Sequence, residues 1–190
     1  MSVPSPRLTT SSPPTPQVPA KAADVASACA EAPFSADRLC QAVDEFARPT
    51  MRHTLCTVNR FDAQAMQLTR LYSSNPHAYP AGGTKDKRGT EWGRHVLLER
   101  QTFVGEGAHA IRAAFDDHAA IAQLRLQSVV NVPVVFEQRC LGTLNLLMEA
   151  ATVSPAQVDF AQLLGLLLLP VFLGVRGDPC SPASSPEQVR

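Results

Sequence analysis

The chain has 190 residues, of which 45% are hydrophobic and 18% charged, and its 17 basic residues balance 17 acidic ones. That size and balance fit one globular domain with tails, and they argue against a nucleic-acid binder, which needs a stripe of cations interleaved with aromatics. The one basic cluster, Lys85-Asp86-Lys87-Arg88, is interrupted by its own acid.

Residues 1–32 are dominated by Pro, Ser, Thr and Ala, a composition that buries too little apolar surface to offset the entropy of ordering. They read as a disordered tail, with at most a transient helix over 21–32. Residues 33–174 form the predicted domain, and the Pro- and Ser-rich 175–190 a second disordered tail. No charged segment followed by an apolar core marks the first twenty residues as a secretory signal. The five cysteines contain no C-x-x-C pair, so neither a disulfide framework nor a zinc knuckle is indicated. A cytoplasmic setting follows as the expectation.

Ser35 is placed to cap a first helix, with Asp37 in its first turn and Phe34 set to staple onto Leu39. Leu39, Val43, Phe46 and Ala47 recur at helical spacing, and Pro49 is expected to end the run. Two strands follow, 54–61 and 66–73. The stretch 74–90, with Asn75-Pro76, Tyr79-Pro80 and Gly82-Gly83, reads as a long loop of the kind that carries function. A short helix holding Trp92 and Val96, a strand at 101–104 and two small helices at 108–115 and 117–124 come next, the second capped by Asp116.

Residues 127–149 are the most informative stretch. Two runs rich in Val, Leu and Thr flank Glu137-Gln138-Arg139, and period-two alternation makes them a hairpin. A three-residue loop sets Asn131 opposite Asn145, Pro133 opposite Thr143 and Val129 opposite Leu147 on one face. The other face, Val130/Leu146, Val132/Leu144 and Val134/Gly142, is wholly apolar. A two-residue loop shifts the pairing and mixes polar with apolar residues on both faces. The first face therefore carries Asn131, Thr143 and Asn145 in hydrocarbon, and buried amides must be satisfied by ligand, water or backbone.

After the hairpin, Ser154-Pro155-Ala156-Gln157 is a helix start with an N-cap, proline at the first helical position and a capping box. The apolar run 160–175 is shorter than the ~20 residues of a membrane span and contains Gln162, Gly165 and Pro170, so a buried helix is expected instead.

The strand Leu126-Gln127-Ser128-Val129-Val130-Asn131-Val132-Pro133-Val134 and the strand Leu141-Gly142-Thr143-Leu144-Asn145-Leu146 resemble the paired motifs of the GAF domain family, over roughly residues 34–173. The resemblance implies an α+β fold: an antiparallel central sheet with N- and C-terminal helices on one face and a pocket on the other, roofed by small helices and a long loop. A PAS-like sheet is the runner-up. One departure is Arg125, where relatives often have glycine. The resemblance implies a stand-alone sensor of a small uncharged or zwitterionic molecule that acts through dimer or partner contacts, with the N- and C-terminal helices forming a homodimer. Candidate ligand-binding residues are Asn131, Thr143 and Asn145 with Tyr79, Trp92, His95 and Phe103 as wall; no catalytic residue, metal ligand or particular cofactor is assigned.

Two other functions compete. One is a dimerisation module whose pocket is filled. The other is a small cysteine-dependent redox enzyme similar to the free-methionine-sulfoxide reductases, which requires Cys56 and Cys140 to meet at the pocket. The small-helix region lacks the cysteine that bilin attachment in this family requires, and the Asn-Lys-x-x-Phe-Asp-Glu pattern of its cyclic-nucleotide binders is absent.

Overall fold

Six antiparallel strands in the order β3-β2-β1-β6-β5-β4 form one sheet, in a computed structural model that describes residues 20–174. The strands are β1 (His53–Asp62), β2 (Gln67–Ser73), β3 (Thr84–Asp86), β4 (Phe103–Glu106), β5 (Ser128–Phe136) and β6 (Arg139–Met148). The helices are α1 (Ala20–Ala30), α2 (Ala36–Met51), α3 (Gly107–Ala114), α4 (His118–Gln123), α5 (Pro155–Leu167) and α6 (Leu169–Leu173). A π-helical segment occupies Gly93–Leu98.

The hairpin register is the expected one: Asn131 faces Asn145, Pro133 faces Thr143 and Val129 faces Leu147. The loop that sets it differs. It is a two-residue turn, Glu137-Gln138, with φ of 47° and 58°, and the pairing jumps from Val134/Gly142 to Val135/Cys140, leaving Leu141 as an extra residue on β6. That bulge restores the register a two-residue turn would otherwise shift by one.

Alternation along these strands feeds two unlike cores. Val130, Val132, Leu144, Leu146 and Met148 pack with Cys56 and Val58 of β1 against α1, α2, α5 and α6. On the other face Val129, Leu147 and Leu55 pack with Tyr79, Ile111, Ile121 and Leu126, which belong to the loop and small-helix layer. The two layers thus sit where the resemblance implied.

The caps behave as their residue types dictate. Ser35 accepts from the Arg38 N–H, and Ser154 with Gln157 closes both halves of a capping box. Pro49 does not end α2. It lies in the last turn, where one backbone hydrogen bond is forgone, and the helix continues until Met51 is fully buried and Arg52, at φ 51°, closes onto Arg48.

The expectation of a disordered N-terminal tail is corrected for its last part: 20–30 are helical, with Val25 and Ala28 buried against α2. The spacing of these two small residues is helical, but two buried positions are too few to stand out as a stripe in sequence. Residues 1–19 and 175–190, both read as tails, lie outside the described residues. The strand β3 inside the loop was likewise not expected; it pairs Gln67, Leu68 and Thr69 of β2 with Asp86, Lys85 and Thr84. Asp116 does not cap α4, which has no side-chain cap. The stretch Pro155–Leu173 is apolar and long enough to cross a membrane by composition alone, yet it breaks at Leu168 into α5 and α6 and packs Ala161, Leu164, Leu168 and Val171 into the helix-side core.

Candidate functional site

A partly open cavity lies on the second face of the sheet. Its floor is Leu55, Thr57 and Asn59 of β1, Leu68 and Arg70 of β2, Val129 and Asn131 of β5, and Asn145 and Leu147 of β6. Its roof is Tyr79, Gly83, Lys85, Lys87, Trp92, Phe115, Asp117 and Ile121. The cavity volume is about 60 Å³, room for more than one water, which needs roughly 10–15 Å³, and less than the roughly 150 Å³ that accepts benzene.

The asparagines of the floor are satisfied within the protein. Trp92 Nε1 donates to Asn131 Oδ1 at 2.9 Å, and Asn131 Nδ2 donates to Asn145 Oδ1 at 2.8 Å. Asn145 Nδ2 then reaches Thr57 Oγ1 at 3.1 Å and Thr143 Oγ1 at 3.2 Å. Each amide oxygen accepts and each amide nitrogen donates, so the chain fixes both flip states and holds the indole edge against the sheet.

The polar groups that remain open belong to the roof and to Arg70. Lys87 is 4% exposed and its ammonium stands 5.1 Å from the centre of the Trp92 ring. Among the described residues it has no ion pair or side-chain hydrogen bond. Its backbone is pinned by donation to Met66 O at 2.8 Å and by acceptance from Thr90 Oγ1 at 2.9 Å. Burial holds its pKa below the ordinary lysine value, and the like charge of Lys85 adds to this, against Asp116 and Asp117. Arg70 donates Nη1 to Pro80 O at 3.0 Å and lies over the Tyr79 ring at 5.1 Å, while its buried Nε has no partner. Tyr79 is 8% exposed, and its hydroxyl makes no hydrogen bond of normal geometry. Burial, with the nearby Asp117 carboxylate, pushes its pKa up to about 12. Asp117 itself is committed to Lys85, 2.7 Å away; burial disfavours its charge, but that ion pair outweighs burial and keeps its pKa low.

Of the residues selected from sequence, Asn131, Asn145, Tyr79 and Trp92 meet at this cavity. Thr143 is fully buried one step behind Asn145. Phe103, paired with Asn131 across β4 and β5, sits behind Phe115 with ring centroids 6.1 Å apart. His95 is turned away, half-exposed and edge-on to Phe103, in a separate open groove with Glu91, Arg94 and Val104. Its π-helical setting explains the miss: five-residue hydrogen bonding rotates His95 off the face that regular helical spacing would share with Trp92. Arg70, Lys85, Lys87 and Asp117 were not among the residues selected. The signal was Lys85 and Lys87 two apart, on β3 and just beyond its end, where an extended chain sets alternate residues on one face.

Cys56 and Cys140 do not meet in a redox site. Cys56 faces the helix-side core, paired with Leu146, whereas Cys140 is six positions further along β6, roughly 15–20 Å away. Burial raises the Cys140 pKa to about 11 and that of Cys56 well above the ordinary thiol value, the opposite of an activated thiolate.

On that same helix side, Asp44, His53 and Cys56 cluster, fully buried. Asp44 receives Tyr72 Oη at 2.9 Å and Arg48 Nη2 at 2.9 Å, and His53 Nε2 lies 2.5 Å from its other oxygen.

No family model matches the sequence, and no curated protein matches it. Solved structures do match in fold. The GAF domain of a phosphoenolpyruvate-protein phosphotransferase from Coxiella burnetii superposes with a TM-score of 0.68 at 11% identity, covering 82% of this chain and 92% of that one. The GAF domain of the Acinetobacter phosphoenolpyruvate-protein phosphotransferase gives a TM-score of 0.59 at 16% identity, covering 83% and 95%. The chromophore-binding domain of a bacteriophytochrome from R. palustris gives 0.55 at 11% identity, covering 77% of this chain and 58% of that one.

Proposed function

We propose that this chain, a GAF-like domain by fold, is a sensory module that binds a small organic molecule between its sheet and the loop-and-helix roof. The observation that carries this reading is the cavity on the Asn131/Asn145 face, walled by Tyr79, Trp92 and Lys87, beside which buried polar groups remain open. Concave, largely apolar sites with a few convergent polar groups are the usual form of a small-molecule pocket. A binding role fits better than a cysteine-dependent redox one, because Cys56 and Cys140 lie apart and burial raises the pKa of both thiols. Four free thiols among the described residues, Cys29, Cys40, Cys56 and Cys140, fit a reducing cytoplasm.

Native mass spectrometry of protein purified from its own host tests the reading. A retained mass that disappears in Leu55→Trp, a variant that fills the cavity floor, is the expected result. An unliganded wild type, together with no thermal shift across a metabolite panel, would sink it.

Signal output is assigned to self-association through α1, α2 and α5. Leu163 and Leu166 of α5 are 50% and 58% exposed although this helix is otherwise apolar. Light scattering on Leu163→Glu/Leu166→Glu is expected to give half the wild-type mass; an unchanged mass removes the dimer.

A second reading, an interaction module with a filled pocket, draws on the self-satisfied Trp92-Asn131-Asn145 chain. It predicts the dimer without the retained mass.

A further inference from the structure

The charges around the cavity do not balance. Arg70, Lys85 and Lys87 line it on the cationic side, and Asp117 is the single carboxylate of the wall. That carboxylate is already taken by Lys85 at 2.7 Å. Lys87, almost wholly removed from solvent, therefore faces the cavity with a ring beneath it and, among the described residues, no ion pair of its own. A cation over an aromatic face recovers only a small part of what desolvating an ammonium costs. Arg70 adds a buried N–H with no acceptor, and Tyr79 a buried hydroxyl whose nearby acceptor, the Asp117 carboxylate, is already paired with Lys85. All three are donors. The amides of Asn131 and Asn145 on the floor are, by contrast, already engaged, each oxygen accepting and each nitrogen donating within the protein.

We infer that the cavity is an anion site whose ligand is a small monocarboxylate, its carboxylate taken by Lys87, Arg70 and Tyr79 and its short apolar part lying against Leu55, Leu147 and Trp92. The assignment rests on the sensory reading above and narrows its ligand class. A neutral ligand leaves Lys87 unpaired. A zwitterion brings an ammonium whose obvious partner, Asp117, is held by Lys85. The apolar half of the wall favours a carboxylate over an inorganic oxyanion, and a volume of about 60 Å³ favours few carbon atoms.

Trp92, the only tryptophan of the chain, reports on the site directly. Its fluorescence is followed while the full chain is titrated with sodium acetate, propionate and butyrate, with the corresponding primary amides, and with inorganic phosphate, at constant ionic strength. Saturable changes with at least one carboxylate are expected, with the isosteric amide at least tenfold weaker and phosphate silent. Lys87→Met keeps the stem against Trp92 and removes the charge; it is expected to weaken carboxylate binding roughly ten- to hundredfold, the range for a hydrogen bond to a charged group. Lys87→Arg is expected to restore most of it, and Arg70→Met gives an independent loss should Lys87→Met fail to fold by circular dichroism. Amide binding as tight as carboxylate, or unchanged affinity in both Met variants, overturns the anion assignment while leaving a sensory pocket intact. Saturation by phosphate alone overturns the carboxylate and its apolar contact. Silence in every titration, with a retained host ligand that carries no carboxylate, also overturns it; silence with no retained ligand overturns the sensory reading as well.

Discussion

Asn131 and Asn145 stand directly opposite each other on β5 and β6 and share a 2.8 Å hydrogen bond between their amides. Each is held from its other side, Asn131 by the Trp92 indole and Asn145 by Thr57 and Thr143. Replacing either residue by Val leaves buried partners without a bond, which costs about 1–3 kcal/mol for each orphaned group. The double replacement removes both amides together. Chemical denaturation of Asn131→Val, Asn145→Val and the pair is therefore expected to show each single variant destabilised by roughly 2 kcal/mol and the double by less than the sum, with a coupling of at least ~0.5 kcal/mol. Additive losses would mean that the two amides do not act as one unit.

That pair was legible in sequence because period-two alternation on two adjacent strands overdetermines which residues share a face. The same alternation could not reveal the bulge at Leu141, since a two-residue turn plus one extra residue gives the register of a three-residue loop. Arg125 was legible as an anomaly: it adopts φ 58° and closes a Schellman-type end, with Leu126 N bonded to Ile121 O and Arg125 N to Ala122 O. It thus takes the backbone conformation that glycine would adopt. The cationic half of the site was not legible. Lys85 and Lys87 looked like a broken surface patch, and only the pairing of β3 onto β2 brings them to the cavity wall.

The turn itself is open to improvement. Glu137 and Gln138 both sit at positive φ, the geometry of a type I′ hairpin turn, for which Asn-Gly is the preferred sequence. Left-handed backbone costs an ordinary residue about 1–2 kcal/mol, partly offset by the greater unfolded-state freedom of glycine. Glu137→Asn with Gln138→Gly is expected to raise stability by roughly 1 kcal/mol in urea denaturation, with the fluorescence of Trp92 unchanged. A loss of stability would show that the side chains, rather than the backbone, hold this turn.

Gly142 is required by close approach rather than by its dihedral angles. A Cβ there would overlap the carbonyl oxygen of Asn59 on β1 and the ring of Phe172 on α6, whose Cζ would lie 2.7 Å away. The ring can shift, but the strand carbonyl cannot without breaking the β1/β6 ladder at Arg60/Gly142. Gly142→Ala is therefore expected to cost about 1–3 kcal/mol as overpacking, and Phe172→Leu to recover only part of it in the same thermal melt. Full recovery would place the clash at the ring alone.

The buried Asp44 ties α2 to the sheet and sets how the fold responds to acid. Burial disfavours its charge, but the hydrogen bonds from His53 and Tyr72 and the positive charge of Arg48 more than compensate, so its pKa lies below the ordinary 3.8. In the unfolded chain the carboxyl titrates at about 3.9. A carboxylate with a depressed folded pKa contributes stability that is present above the unfolded value and is lost as pH falls through the folded one. Stability of the wild type should accordingly be flat near neutrality on this account and decline below about pH 4. Asp44→Asn keeps the shape and removes the charge from beneath His53, Tyr72 and Arg48. It is expected to cost roughly 3–5 kcal/mol at pH 7, as when one partner of a buried ion pair is removed, and to shed the part of the acid slope that Asp44 supplies. Urea midpoints taken from pH 7 to pH 3 check both. An acid slope identical to that of the wild type would show that other carboxylates, and not this one, carry the loss.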